Sequence, residues 1–449
     1  MTMVEIAGPV IGIPNEKPVI RDSSDLNTKV RAGDIEVIGT LEKEDTKLPL
    51  QGTLVSPQPD FLSFPPTTKA TLLTVGIVFL WIVSLCGKTT VSENWFTVIS
   101  ILKDERALKR AHDVQLSENL AFVPGKGGAI AIIDIAQPEN PKLLWHKQDL
   151  EALGDSQTVL PLGDHLLLGT NDFFSLDISN PKHPVFIKRI SERTDLRIDK
   201  INGMFKRGKT VFAANKSGWI NAFDISDLAS PELIGALNVS KKFDLMNPHD
   251  IDGFDEYVII VDPRKFGLNP SGKIAIFKVL DGPSGQTLPV EEWILTGEIE
   301  SKKLIGANRV QVKGKYAFTS NSWMPNSSSP TPMLAVVDVS NPYLPRFVAS
   351  VPFSDTQGPN GLTIAGNIAF PAGGETVEAI DISDPRNPIK LGSQKLPASN
   401  KKSDPNRKGD NAHDLVYRDG YLYVSCQSDD SFMILKITDN RILELANRP

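Results

Sequence analysis

"LDISNPKHP", residues 176–184, is the phrase that decides the fold. An apolar strand ends in Asp177, a β-branched residue and a small residue follow, and two prolines bound a turn. The physical logic is local. Alternating apolar residues make a strand, an Asp or Asn side chain bonds nearby backbone amides, and proline ends the strand where no ladder donor is needed. The same phrase returns as "IDIAQPENP" (133–141), "FDISDLASP" (223–231), "VDVSNPYLP" (337–345) and "IDISDPRNP" (380–388).

Upstream of each copy lies a second pattern: a polar residue, a strand, a tight Gly- or Asp-containing turn and another strand. "NGMFKRGKTVFAAN" (202–215) and "HDLVYRDGYLYVSC" (413–426) show it well. Such turns favour hairpins. Each unit therefore reads as four antiparallel strands, a to d. Units open at His112, Gln157, Asn202, His249, Asn308, Asn360 and His413, at intervals of 45, 45, 47, 59, 52 and 53 residues. In two units a lysine, Lys278 or Lys436, takes the place of the strand-c aspartate. "GKGG" (125–128) is read as a hairpin turn, since no helix follows it.

Seven four-stranded units of this length predict an all-β protein, a seven-bladed β-propeller of four-stranded antiparallel blades. "FTVISI" (96–101) starts sixteen residues before His112, as "LIGALN" starts sixteen before His249. It thus occupies a strand-d position and is expected to pair with residues 432–438 and close the ring. "RILELA" (441–446) competes for that edge.

The phrases "LDISNPKHP", "VDVSNPYLP" and "IDISDPRNP" resemble the LVIVD repeat family of β-propellers, over about residues 96–449. The resemblance implies the propeller fold and an association with the cell surface. It implies no common reaction.

The propeller is expected to span 89–449, after a transmembrane helix at 69–88 and a flexible N-terminal tail at 1–68. "ATLLTVGIVFLWIVSLCG" (70–87) carries no charge and is bracketed by Lys69 and Lys88. As a helix it would reach about 27 Å, close to the hydrocarbon thickness of a bilayer. Lysine placement does not decide its orientation. A single anchor before a large domain fits best with the tail cytoplasmic and the propeller on the exoplasmic side, periplasmic or extracellular. The tail mixes charge with Pro, Gly and Thr. It is read as a spacer, or as a docking peptide for another membrane subunit.

Net charge is −6, which gives no reason to expect a nucleic acid partner. Two cysteines, Cys86 and Cys426, define no disulfide framework. Phosphate loops, dinucleotide fingerprints, nucleophile elbows and HExxH motifs are absent from the sequence.

Strand a lines the channel of a propeller, so the seven opening residues should form one polar ring at the channel mouth. That ring is the candidate ligand-binding site. Its bland reading is that these side chains satisfy backbone at blade entry. His112, His249 and His413 could also ligate a transition metal, although His249 lies nearly opposite the other two. No other cofactor is expected. Asp113, Asp250 and Asp414 follow the histidines. By strand alternation they are expected to point away from the channel and to bond a neighbouring blade. Insertions offer partner loops: 263–273 with Arg264 and Lys265, 320–333 with Trp323 and Met324, and 400–411. Together these features point to a membrane-anchored binding or scaffold module, a candidate subunit of a membrane complex. The alternative is a metal-dependent or hydrolytic enzyme working at the channel mouth.

Overall fold

A computed structural model describes residues 94–191, 197–263, 271–282, 287–322, 332–397 and 411–448. All of them belong to the compact unit that runs from Thr90 to Pro449. The tail and the apolar run 70–87 lie outside the described residues. Among the described residues no helix is long and apolar enough to cross a membrane. The partner-loop residues Arg264, Lys265, Trp323 and Met324 also lie outside them, as does 398–410.

The strands form seven four-stranded antiparallel sheets, and in six of them the order is the sequence order. These are blades one to six. The seventh is made from both ends of the domain. Phe96–Lys103 pairs with Ser431–Ile437, outside Tyr421–Cys426 and Ala412–Arg418. The expected clasp is therefore present. Gln394 of blade six grips it from the side: Phe96 N–H donates to Gln394 Oε1 at 3.0 Å and Gln394 Nε2 donates to Phe96 O at 2.9 Å. Trp95 is fully buried and stacks on Phe370 with ring centroids 5.9 Å apart. A methyl group at Gly392 would meet the Trp95 ring at 2.5 Å, so the glycine makes room for it.

The C-terminal segment does not compete for that edge. Asn440–Ala446 is a helix because Asp439 caps it, accepting from Arg441 N and Ile442 N, and its apolar side buries Ile442, Leu445 and Ala446.

The repeat phrase builds the same turn five times. Asp134, Asp177, Asp224, Asp338 and Asp381 each accept, through Oδ1, the amide two residues on, at 2.7–2.9 Å. All seven c–d pairings shift register near the middle, which adds twist at the rim. Strands b and c are buried along nearly their whole length, not on alternate faces, because each blade is sandwiched between two others. The buried apolar residues form seven clusters, one at each blade interface. A blade cannot bury its second face until its neighbour arrives, so closing the ring completes the core.

Candidate functional site

The seven opening residues form a girdle. His112 Nδ1 bonds the carbonyl of Gln157 at 2.7 Å, and His413 Nδ1 bonds the carbonyl of His112 at 2.7 Å. His249 Nδ1 meets the carbonyl of Asn308 at 3.1 Å. Asn202 Nδ2 donates to His249 O at 2.6 Å, and Asn308 Nδ2 donates to Asn360 Oδ1 at 2.9 Å. Each of these side chains reaches from one blade to the opening residue of the next. The girdle stitches neighbours together through backbone that strand pairing leaves open. Burial pushes all three histidines well below their ordinary pKa, and the nearby lysine and arginine charges add to it. The imidazoles are therefore neutral; in His112 and His413 the proton sits on Nδ1, which faces a carbonyl, whereas His249 Nδ1 meets both the Asn308 carbonyl and, at 3.0 Å, Asn202 Nδ2.

The histidines do not form a metal centre. The rings of His112 and His413 lie 4.1 Å apart. Among the described residues, no group of three or more His, Cys, Asp or Glu side chains is placed to hold a metal ion.

The next residue in each blade forms a second layer: Asp113, Thr158, Gly203, Asp250, Arg309, Gly361 and Asp414. Here the expectation from alternation fails. Asp113, Asp250 and Asp414 line the channel and converge on Arg309. At Asp414 the cause is a register shift between Ala412 and Asp414, and the same shift recurs in blades three and five, between Ile201 and Gly203 and between Ala307 and Arg309. An extra residue in the strand breaks strict alternation, so consecutive side chains both face inward. The neighbour-bonding half of the expectation is met. Asp113 Oδ2 accepts from Thr158 Oγ1 at 2.9 Å and Val159 N at 3.2 Å, and Asp250 Oδ2 accepts from Val310 N at 2.9 Å.

Arg309 is the hub of this layer. It donates to Asp414 Oδ2 at 2.6 Å and to the carbonyl of Asn202, across the channel, at 3.1 Å. Asp113 and Asp250 lie 3.9 and 4.0 Å from its guanidinium. The glycines supply space: a Cβ on Gly203 would meet Asp250 Oδ1 at 2.2 Å, and one on Gly361 would meet the Asp414 backbone at 2.7 Å. Burial pulls the guanidinium pKa down, but Asp414, Asp250 and Asp113 outweigh it and raise the value. One cation does not balance the carboxylates. Burial pushes Asp250 up to about 7 against the pull of Arg309, and raises Asp414 well above the carboxylate range. Asp252, two residues along the same strand, is pushed up by burial to about 6.

From Arg309 a cavity of about 500 Å³ extends toward the far ends of the a strands, reaching Lys313 and Gly366. Gln115, Met204, Gln311 and Thr363 help to line it. The volume suits a small molecule or an inserted side chain. Sequence reasoning missed Arg309 and the inward aim of Asp113, Asp250 and Asp414. The available signal was one arginine standing in the frame that aspartate holds in three other blades.

Two acceptor triplets for glycosylation fall on described residues. Asn215 is fully buried, donating to Arg197 O, and Asn238 caps the helix Val239–Phe243.

The family model described as LVIVD repeat matches residues 109–146, 154–191 and 306–352, which correspond to blades one, two and five. No curated protein matches the chain. Among solved structures, the WD40 β-propeller domain of Doa1 is similar over 78% of this chain and 99% of its own, at 9% identity and a TM-score of 0.54. That likeness is one of fold alone. The computationally designed Ika8 protein covers 75% of this chain and 98% of its own, at 11% identity and a TM-score of 0.48. The chain thus carries LVIVD repeats and folds as a seven-bladed β-propeller.

Proposed function

We propose that this protein is a binding module whose ligand enters the axial channel from the a–b-turn face and ends against Arg309. The observation that carries this reading is the cavity of about 500 Å³ floored by a guanidinium and buried carboxylates. Fixed, desolvated charges at the end of a pocket orient a polar ligand without being reordered by it. The apolar run 70–87 anchors the module in a membrane, with the tail on the cytoplasmic side and the propeller exported. The loops at 263–273, 320–333 and 400–411 serve protein partners, within a membrane complex. Protease digestion of the propeller in intact cells, or in spheroplasts where an outer membrane is present, supports that orientation; digestion only after lysis contradicts it.

Filling the cavity tests the ligand reading. Purified full-length protein is incubated with cell extract, and small molecules released on denaturation are identified by mass spectrometry. Thr363→Trp and Gln115→Trp should each abolish capture of a species that the wild type retains. Protein partners captured equally by all three forms, with no small molecule retained by any, would leave a scaffold and remove the channel ligand.

One observation favours a second, hydrolytic reading. Asp250, pushed up to about 7 at the cavity wall, matches the requirement for a general acid or base near neutral pH. Under that reading Asp250→Asn abolishes turnover while capture of the ligand persists. Under the binding reading no turnover exists to lose.

A further inference from the structure

Four carboxyls line the cavity of about 500 Å³, those of Asp113, Asp250, Asp252 and Asp414, against two cations, Arg309 and Lys313. Both cations are already committed. Arg309 donates to Asp414 Oδ2 at 2.6 Å and to Asn202 O at 3.1 Å. Lys313 Nζ donates to the carbonyl of Gly366 and, at 3.3 Å, to Asn367 Oδ1, both neutral acceptors. Asp113 is held by Thr158 and Val159 of the next blade. Asp250 and Asp252 remain.

These two stand two residues apart on the strand Asp250–Phe254, which pairs without a register shift, so both project from one face of it into the cavity. Backbone amides hold them there. Asp250 Oδ2 accepts from Val310 N at 2.9 Å, Asp252 Oδ2 from Val312 N at 2.7 Å, and Asp252 Oδ1 from Gly253 N at 2.8 Å. Alternate amides of the strand Ala307–Lys313 thus fix two carboxyls side by side. The Arg309 guanidinium stands 4.0 Å from Asp250, drawn toward Asp414. Burial raises both carboxyls, Asp250 to about 7 and Asp252 to about 6, as it does where a counter-charge is missing. The enclosed space beside the pair has room for the molecule that supplies it.

We propose that the ligand of this cavity is a small organic cation, whose ammonium or guanidinium group seats between Asp250 and Asp252. This rests on the reading of the cavity as a ligand site and adds the class of molecule that it takes. The charge of Arg309 stops the cation at that depth, and the uncharged body fills the space toward Gly366. On binding, a protonated Asp250 or Asp252 passes its proton to solvent, and the ligand N–H groups donate to the carboxylate left behind. Asp113, Arg309, Lys313 and Asp414 are the other charged or titratable groups lining the cavity around the pair, and His249, next to Asp250 in the chain, is neutral. Low pH returns the proton to the pair, so affinity should fall from about pH 8 to about pH 5.

Titration calorimetry on the full-length protein in detergent, at fixed ionic strength, tests this with four probes built on one butyl chain: butylguanidinium, butylammonium, butylurea and pentanoate. Saturable binding of at least one cation is expected, at least about tenfold tighter than butylurea or pentanoate, the size of one charge-assisted contact. At about pH 7 its binding heat should differ between phosphate and HEPES buffers through proton release. Asp252→Asn keeps an acceptor for the Val312 amide and should weaken the cation by at least about tenfold while leaving butylurea unchanged. Thr363→Trp should abolish cation binding. If Asp252→Asn fails to fold, the ranking of the four probes on the wild type still decides. No saturable binding of either cation, or butylurea or pentanoate binding as tightly as the better cation, would overturn the proposal. So would cation binding that persists in both variants, since it lies outside the cavity. The two readings fail separately. Neutral or anionic probe binding that Thr363→Trp abolishes removes the cation and keeps the cavity. With no probe bound the cation is removed, and the capture from extract still decides the cavity.

Discussion

The aspartates of the rim turns and those of the channel are one residue type in two regions with opposite electrostatics. At the rim, Asp177 bonds the backbone and side chain of Ser179, which lowers its pKa. At Asp338 burial opposes the same kind of bond, yet Ser340 and Arg386 lower the value. In the channel, Asp250 and Asp414 also accept backbone or guanidinium hydrogen bonds, but burial prevails and their values rise. Water makes the difference. A rim carboxylate keeps its solvation and gains an amide, whereas a channel carboxylate loses solvation that one shared arginine does not replace. The rim aspartates punctuate the fold. The channel aspartates hold desolvated carboxyls that keep their protons, where a ligand could meet them.

Removing the shared cation should break the contrast most. Arg309→Met leaves Asp113, Asp250 and Asp414 buried without a counter-charge. Urea denaturation near neutral pH should show a loss of about 3–5 kcal/mol. A loss no larger than that of a rim substitution would mean that the carboxylates are already neutral and the hub is dispensable.

Next comes the pH dependence. The folded pKa of Asp250, about 7, lies above its unfolded value near 4. The folded state therefore binds the proton more tightly. The stability that this group contributes is full below about pH 4 and is lost as pH rises toward 7. Rim aspartates with lowered values behave oppositely, contributing above about pH 4 and losing that contribution on acidification. The neutral girdle histidines also lose stability on acidification, below about pH 6.5. Asp250→Asn isolates the channel contribution. Its stability relative to wild type should improve steadily between about pH 4 and pH 7. A pH-independent difference would place Asp250 with the rim group.

The smallest effects belong to the rim. Asp177→Ala removes one exposed amide bond and should lower the thermal or urea unfolding midpoint less than either channel variant does. Asp177→Asn keeps an acceptor in place and should unfold at the wild-type midpoint.

The contrast also explains what could be read from sequence. The rim turn is local: Asp177 and its acceptor bond to Ser179 lie two residues apart, so the phrase itself encodes the geometry. The repeat then fixes blade number, and the offset of 96–101 from His112 fixes the clasp, because both are counts along the chain. The girdle positions came from the same count. The channel layer did not, because its chemistry depends on a bulge. A bulge shifts phase by one residue and leaves no composition signal, so alternation sends Asp414 to the wrong side and gives no hint of Arg309. Arg309 meets Asp414 across 105 positions of sequence and Asn202 across 107, distances at which spacing carries no information. The sequence of "RILELA" allows a strand that competes for the closing edge. Asp439 supplies the helix cap that should have identified it.

A titration of aspartate side-chain carboxyls by carbon-13 NMR, with Asp250→Asn and Asp177→Asn for assignment, compares the two regions most directly. Asp250 should titrate near 7 and Asp177 below its ordinary value. If both resonances titrate together near pH 4, the channel carboxylates are solvated like those of the rim, and the channel holds no desolvated carboxyl for a ligand to meet.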